Sequence, residues 1–102
     1  MTSFKGLNGT ILLKENSLSI IRESGIDTTF HKKGVIEISY SCIDGVMLEL
    51  GSLVNGYITI IEKGSTCPSN IFSAMKNDNT VIFRCTKNGQ AEKIRALIEK
   101  NI

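Results

Sequence analysis

Side chains able to do acid–base, metal or nucleophilic chemistry are few and far apart in this chain. It holds one histidine, His31, and three cysteines, Cys42, Cys67 and Cys85. A protein zinc site gathers three or four nitrogen, sulfur or oxygen ligands, and in sequence it shows as short Cys/His spacings. No Cys or Asp stands at ligand spacing from His31, and no CxxC pair occurs. Also missing are GxSxG, HExxH, a phosphate-cradling glycine loop and a Cys–His nucleophile pattern. Acidic residues are scattered singly over turns and strand surfaces. The expectation is a protein without catalytic residues, metal ligands or a cofactor.

Binding chemistry has one local candidate. His31, Lys32 and Lys33 form the single basic cluster of the sequence. Three donors at a tip between strands would suit a phosphate head group or an acidic partner. The plainer reading makes them solvated loop residues ahead of a strand, and it is preferred. Further on, five bases (Arg84, Lys87, Lys93, Arg95, Lys100) face two acids (Glu92, Glu99), which leaves the first 83 residues near −1. A solvated helix face accounts for that excess more simply than a phosphate-binding surface. Nucleic acid is not expected as a partner. The net charge is only +2, Trp is absent, and most of the six aromatics (Phe4, Phe30, Tyr40, Tyr57, Phe72, Phe83) fall at alternating positions that suit a core better than a stacking platform.

These residues need a scaffold, and the stretch from Gly34 to Glu62 supplies most of it. Ile36, Ile38 and Tyr40 alternate with Glu37 and Ser39. Val46, Leu48 and Leu50 alternate with Met47 and Glu49, and Ile58 and Ile60 with Tyr57, Thr59 and Ile61. Period two over three runs predicts three consecutive strands with one face on a core. Asn55-Gly56 reads as a hairpin turn through positive φ, and Asp44-Gly45 as the turn before it. Upstream, Thr10–Lys14 and Ser17–Glu23 form a hairpin around Glu15-Asn16, preceded by an arm in which Phe4 alone is tied down. Residues 24–33 leave a short strand or a helical turn open. Residues 63–78 are the longest stretch without a strand signal, and Ile71, Phe72 and Met75 within it plug the core edge more plausibly than they form a ligand site. Asn79–Cys85 is the last strand. Ala91, Ile94, Leu97, Ile98 and Ile102 then follow a 3.6 period, with Asn88 as N-cap. A helix of a dozen residues is too short to stand alone and must dock on the sheet.

At 102 residues, with 41% hydrophobic and 22% charged content, there is room for one domain spanning 1–102. No apolar run approaches bilayer length. MTSFKGLNGT lacks the parts of a secretory signal, and an odd cysteine count fits free thiols in a reducing cytosol, so a cytoplasmic protein is expected. Cys42 and Cys85, within apolar strand runs, are expected to be buried and to resist alkylation, whereas Cys67 beside Pro68 reacts. Six or seven antiparallel strands and one helix give a mainly β, α+β protein. It is either a partly open barrel capped by the helix or a sheet with the helix across one face.

Taken in order, FKGLNGTI at 4–11, LSIIRES at 18–24, KKGVIEISYSCIDGV at 32–46, NGYITIIEKG at 55–64 and AMKNDNTVIF at 74–83 resemble the bacterial pleckstrin-homology-like domains of unknown function of the DUF4429 type. The resemblance implies a pleckstrin-homology-like barrel of two nearly orthogonal antiparallel sheets, seven strands in all, capped by the C-terminal helix. It implies a strand within 26–33 and no catalytic residue. Family members are often joined to a short C-terminal helical module, which is not expected here after the helix.

The expected function is a non-catalytic protein-interaction or self-assembly module, with the protein itself or another protein as partner. Spare apolar strand positions (Ile21, Met47, Ile61) and open strand edges favour a homo-oligomer. The alternative is a binder of anionic lipid or another phosphorylated ligand. It is disfavoured because Lys14-Glu15-Asn16, taken as the first hairpin turn, sets one base beside one acid, so sedimentation with anionic liposomes is not expected.

Overall fold

The computed structural model describes residues 2–22, 34–64 and 79–102. Within them the alternating runs form seven strands: β1 (Ser3–Lys5), β2 (Thr10–Leu13), β3 (Ser17–Arg22), β4 (Gly34–Ser39), β5 (Ile43–Glu49), β6 (Gly56–Glu62) and β7 (Thr80–Phe83). One helix, α1 (Asn88–Asn101), follows them. All pairings are antiparallel, in two sheets ordered β1-β2-β3-β4 and β5-β6-β7. His31, Lys32 and Lys33 lie outside the described residues, as do Cys67, the strand expected within 26–33 and the Ile71–Met75 plug.

The faces follow the alternation. Ile11, Leu13, Leu18, Ile20 and Ile38 bury against Ile43, Ile58, Ile60, Val81 and Phe83 of the other sheet. The α1 residues Ala91, Ile94 and Ile98 close the same core, and the helix packs on β1, β5 and β6. Phe4 and Phe83 meet edge-to-face with ring centres 5.5 Å apart. On the far side of the second sheet Tyr57 and Ile82 are buried beneath Leu7 and Met47. Met47, expected as a spare apolar position, is half-buried and packs on this pair.

Several local expectations change. The N-terminal arm is a strand, because Phe4 is drawn into the core and Ser3–Lys5 pair with Thr10–Leu12. The first hairpin turn is thus residues 6–9, and Lys14-Glu15-Asn16 is the second. There the Lys14 ammonium donates to Glu37 Oε1 (2.8 Å), and Ser17 Oγ donates to the same oxygen. These bonds and the ammonium's charge hold the Glu37 carboxyl below its usual range. Asp44-Gly45 is no turn but lies inside β5, at a register shift between Ile43 and Gly45. The chain instead crosses between sheets on a 3-10 turn, Tyr40–Cys42, anchored by Tyr40 Oη donating to the Lys14 carbonyl (2.7 Å) and Tyr40 N to that of Asn16.

Cys42 and Cys85 are both exposed, contrary to expectation. Tyr40 takes the inward place on the crossing turn and leaves Cys42 outside. β7 ends at Phe83, so Cys85 opens a second 3-10 turn, Cys85–Lys87. Nor does Asn88 cap the helix. It is the first helical residue, and its amide binds the β5–β6 loop.

Gly56 is required for close approach and not for positive φ, which it does not adopt. A Cβ there would overlap the Glu49 carbonyl oxygen, the Gly51 nitrogen (2.6 Å) and Phe83 Cε2 (2.8 Å). Gly56→Ala is expected to lower stability by about 1–3 kcal/mol, since backbone on two sides cannot yield. Gly45→Ala, with nothing within 4 Å of the new carbon, should unfold within ~0.5 kcal/mol of the wild type in urea. Equal losses for the two would contradict this packing. Cys42 and Cys85 are expected to alkylate in native protein at rates near those of an unfolded control, read by mass spectrometry; protection of either would contradict its place on a turn.

Candidate functional site

The β1–β2 turn folds back onto the end of β7. Leu7 N donates to the Ile82 carbonyl (2.6 Å), and Ile82 N donates to Asn8 Oδ1 (2.8 Å). Both residues make this seam without a continuous strand ladder. Asn8 and Arg22 are 6% and 5% exposed, and the Arg22 guanidinium donates to the carbonyls of Asn8 (2.9 Å) and Thr80 (2.8 Å). Gly6 lets the turn lie this close, since a Cβ would strike Val81 Cγ1 and the Ile82 carbonyl.

This seam carries Lys5, Gly6 and Leu7 to the segment that joins β7 to α1. Together with Arg84, Thr86 and Lys87 they line an open groove of about 150 Å³. Three of the six lining residues are cations and none is a carboxylate. Lys87 Nζ donates to the Lys5 carbonyl (2.9 Å), which places its ammonium across the groove. The Thr86 side chain adds a hydroxyl. α1 begins at the same place, with no acid in its first turn and no side-chain cap. The positive end of its helix dipole therefore adds to the positive potential.

Beside the groove stands the β5–β6 loop, Leu50–Asn55. Asn88 Oδ1 accepts from Gly51 N, and Asn88 Nδ2 donates to the Gly51 carbonyl, each at 2.9 Å. Gly51 lies so close to Cys85 that a Cβ would be 3.0 Å from Cys85 Cα. The loop base thus abuts the segment that supplies Arg84, Thr86 and Lys87. Ser52 N donates to the Val54 carbonyl and tightens the tip. That tip points three apolar residues outward: Leu53 at 102% exposure, Val54 at 66% and Leu50 at 44%.

These groups can do electrostatic and apolar binding. Among the described residues no three His, Cys, Asp or Glu come together in a way that would hold a metal ion. Burial pushes the Tyr40 and Tyr57 phenols up, with the Glu49 charge adding at Tyr57, so neither serves as an acid near neutrality. Sequence reasoning missed the groove. Lys5 belonged to a frayed arm and Arg84 and Lys87 to a solvated helix face. The base excess after residue 83 was the one available signal, and nothing in it pointed to Lys5. No family model, no curated protein and no solved structure matches this chain, so the chemistry of the site is read from its own residues.

Proposed function

We propose that this chain is a non-catalytic binding module of the pleckstrin-homology-like type that takes an anionic, phosphate-like ligand in the groove of Lys5, Arg84 and Lys87. Four antiparallel strands, then three, then a helix against the core support the fold type. The observation that carries the function is which residues surround one mainly apolar concavity: Lys5, Arg84, Lys87 and Thr86, with no carboxylate among them. The objection raised by the Lys14-Glu15 pair falls away, because that turn is the second hairpin and its ammonium is held by Glu37. The cations are largely exposed, so affinity is low and strongly screened by salt. A cytoplasmic location remains part of the proposal.

Inorganic pyrophosphate titrated at low salt is expected to give saturable amide shifts at Gly6, Leu7, Thr86 and Lys87, with a dissociation constant of about 1 mM. Those shifts should vanish in the double variant Lys5→Glu, Arg84→Glu. Shifts scattered over the surface, or unchanged in the variant, would overturn the reading.

Self-assembly, or docking of another protein, along β4 is the second reading. Among the described residues β4 ends its ladder, and its Val35 is 64% exposed. An unpaired edge with an apolar side chain is a template for another strand. Light scattering is expected to give a dimer at tens of micromolar that Val35→Lys returns to monomer. A wild-type mass of 11.2 kDa at that concentration would remove this reading.

A further inference from the structure

We infer that the groove takes a small aryl phosphate, an aromatic ring that carries the anion. The inference rests on the anion-binding reading of the groove and deepens it, because the charges account for only part of the lining. Most of the lining surface is apolar. Leu7 presents a side chain that also packs on Tyr57 and Ile82, and Gly6 adds bare backbone. Lys5, Arg84 and Lys87 bring carbon stems as well as charges, since long basic side chains lie along a surface and keep the charged end in water. A bare phosphate would leave this apolar surface wet. An anion with an apolar body covers it and still reaches the cations.

Size and shape select the body. The groove holds about 150 Å³, and an apolar cavity of about that volume accommodates a benzene ring. Because the groove is open, its ligand buries one face. A flat ring does so without losing rotamer freedom, whereas an alkyl chain of equal area would have to be ordered. Arg84 adds a planar cation, which stacks on an aromatic face as well as pairing with an anion. The phosphate then has the ammonium groups. Lys87 Nζ is fixed by its bond to the Lys5 carbonyl and keeps further donors, and neither Lys5 nor Arg84 is held by a carboxylate among the described residues. Room for one ring and its substituent describes a small molecule.

NMR titrations at low salt test it by comparing phenyl phosphate with methyl phosphate, which has the charge and no ring. Phenyl phosphate is expected to bind about tenfold more tightly, the gain from covering one ring face. Its ring protons should give intermolecular NOEs to the Leu7 methyls. Benzyl alcohol, a ring without the charge, is expected to give no saturable shift. Leu7→Ala should bring the two phosphates to equal affinity. Arg84→Lys, at an exposed position, keeps the charge and loses the planar face, and should narrow the gap about threefold even if Leu7→Ala fails to fold. Equal affinity of the wild type for the two phosphates overturns the inference. So do NOEs that omit Leu7, an undiminished gap in Arg84→Lys, and benzyl alcohol binding as tightly as phenyl phosphate. If pyrophosphate shifts the groove amides while phenyl phosphate gains nothing over methyl phosphate, the inference falls and the anion-binding reading stands. If no anion shifts them, both fall.

Discussion

The structure depends on how the β1–β2 turn is fastened to β7. Two short sheets packed face to face could slide or splay, because their ladders are separate along this side. Asn8 prevents it by offering its side-chain carbonyl to Ile82 N, standing in for the backbone oxygen that a neighbouring strand would have supplied. Arg22 then reaches from β3 across the same seam to the carbonyls of Asn8 and Thr80. Burying a guanidinium is costly unless its donors are matched, and carbonyl oxygens at 2.8–2.9 Å are good acceptors for it. A cation in this place thus ties three chain segments with one side chain. Truncating it would leave buried carbonyls without those donors, a heavier loss than one contact.

The fastening also builds the groove. Once Leu7 is bonded to Ile82, Lys5 has no course except past Arg84 and Lys87, and the Lys87 ammonium is drawn over to the Lys5 carbonyl. Like charges brought this near repel, and water screens them only in part. The chain has ten acids, and none lines the groove.

How much of this was legible follows from the range of each interaction. Period two located the strands because core and solvent lie on opposite faces of a ladder, and period 3.6 located the buried Ala91, Ile94 and Ile98 for the same reason. Breaks were read less well. Asp44-Gly45 looks like a turn, yet a bulge absorbs it, since the true crossing is set by Tyr40 finding a distant partner in the Lys14 carbonyl. Cys42 and Cys85 looked buried because apolar strand runs adjoin them; Cys42 lies just before β5 and Cys85 two residues past the end of β7, where alternation does not hold. Asn88 has the side chain of a cap, but Gly51 outcompetes the helix for it. The candidate site was the least legible part. Its cations come from opposite ends of the chain, and only the Asn8 seam makes them neighbours. Two antiparallel sheets followed by a C-terminal helix are the coarse part of what the family resemblance implied, and it held no information about this groove.

The β5–β6 loop poses an energetic question that the isolated domain does not answer. Ordering six residues costs on the order of 1 kcal/mol each in backbone entropy. Helix position 88 commits its amide wholly to Gly51, and Gly56 accepts a glycine's conformational cost to let Phe83 and the Glu49 carbonyl approach. Yet the tip so held buries almost nothing: Leu53 stands free, and Val54 and Leu50 are largely in water. Single exposed apolar residues are ordinary on protein surfaces. Three within five positions, on a loop braced by a side chain that could have capped a helix, are not accounted for by stability of the domain alone. The bracing is of use when something covers the tip, because a loop already ordered has less entropy to lose on docking. The groove that Lys5, Arg84 and Lys87 line lies beside it.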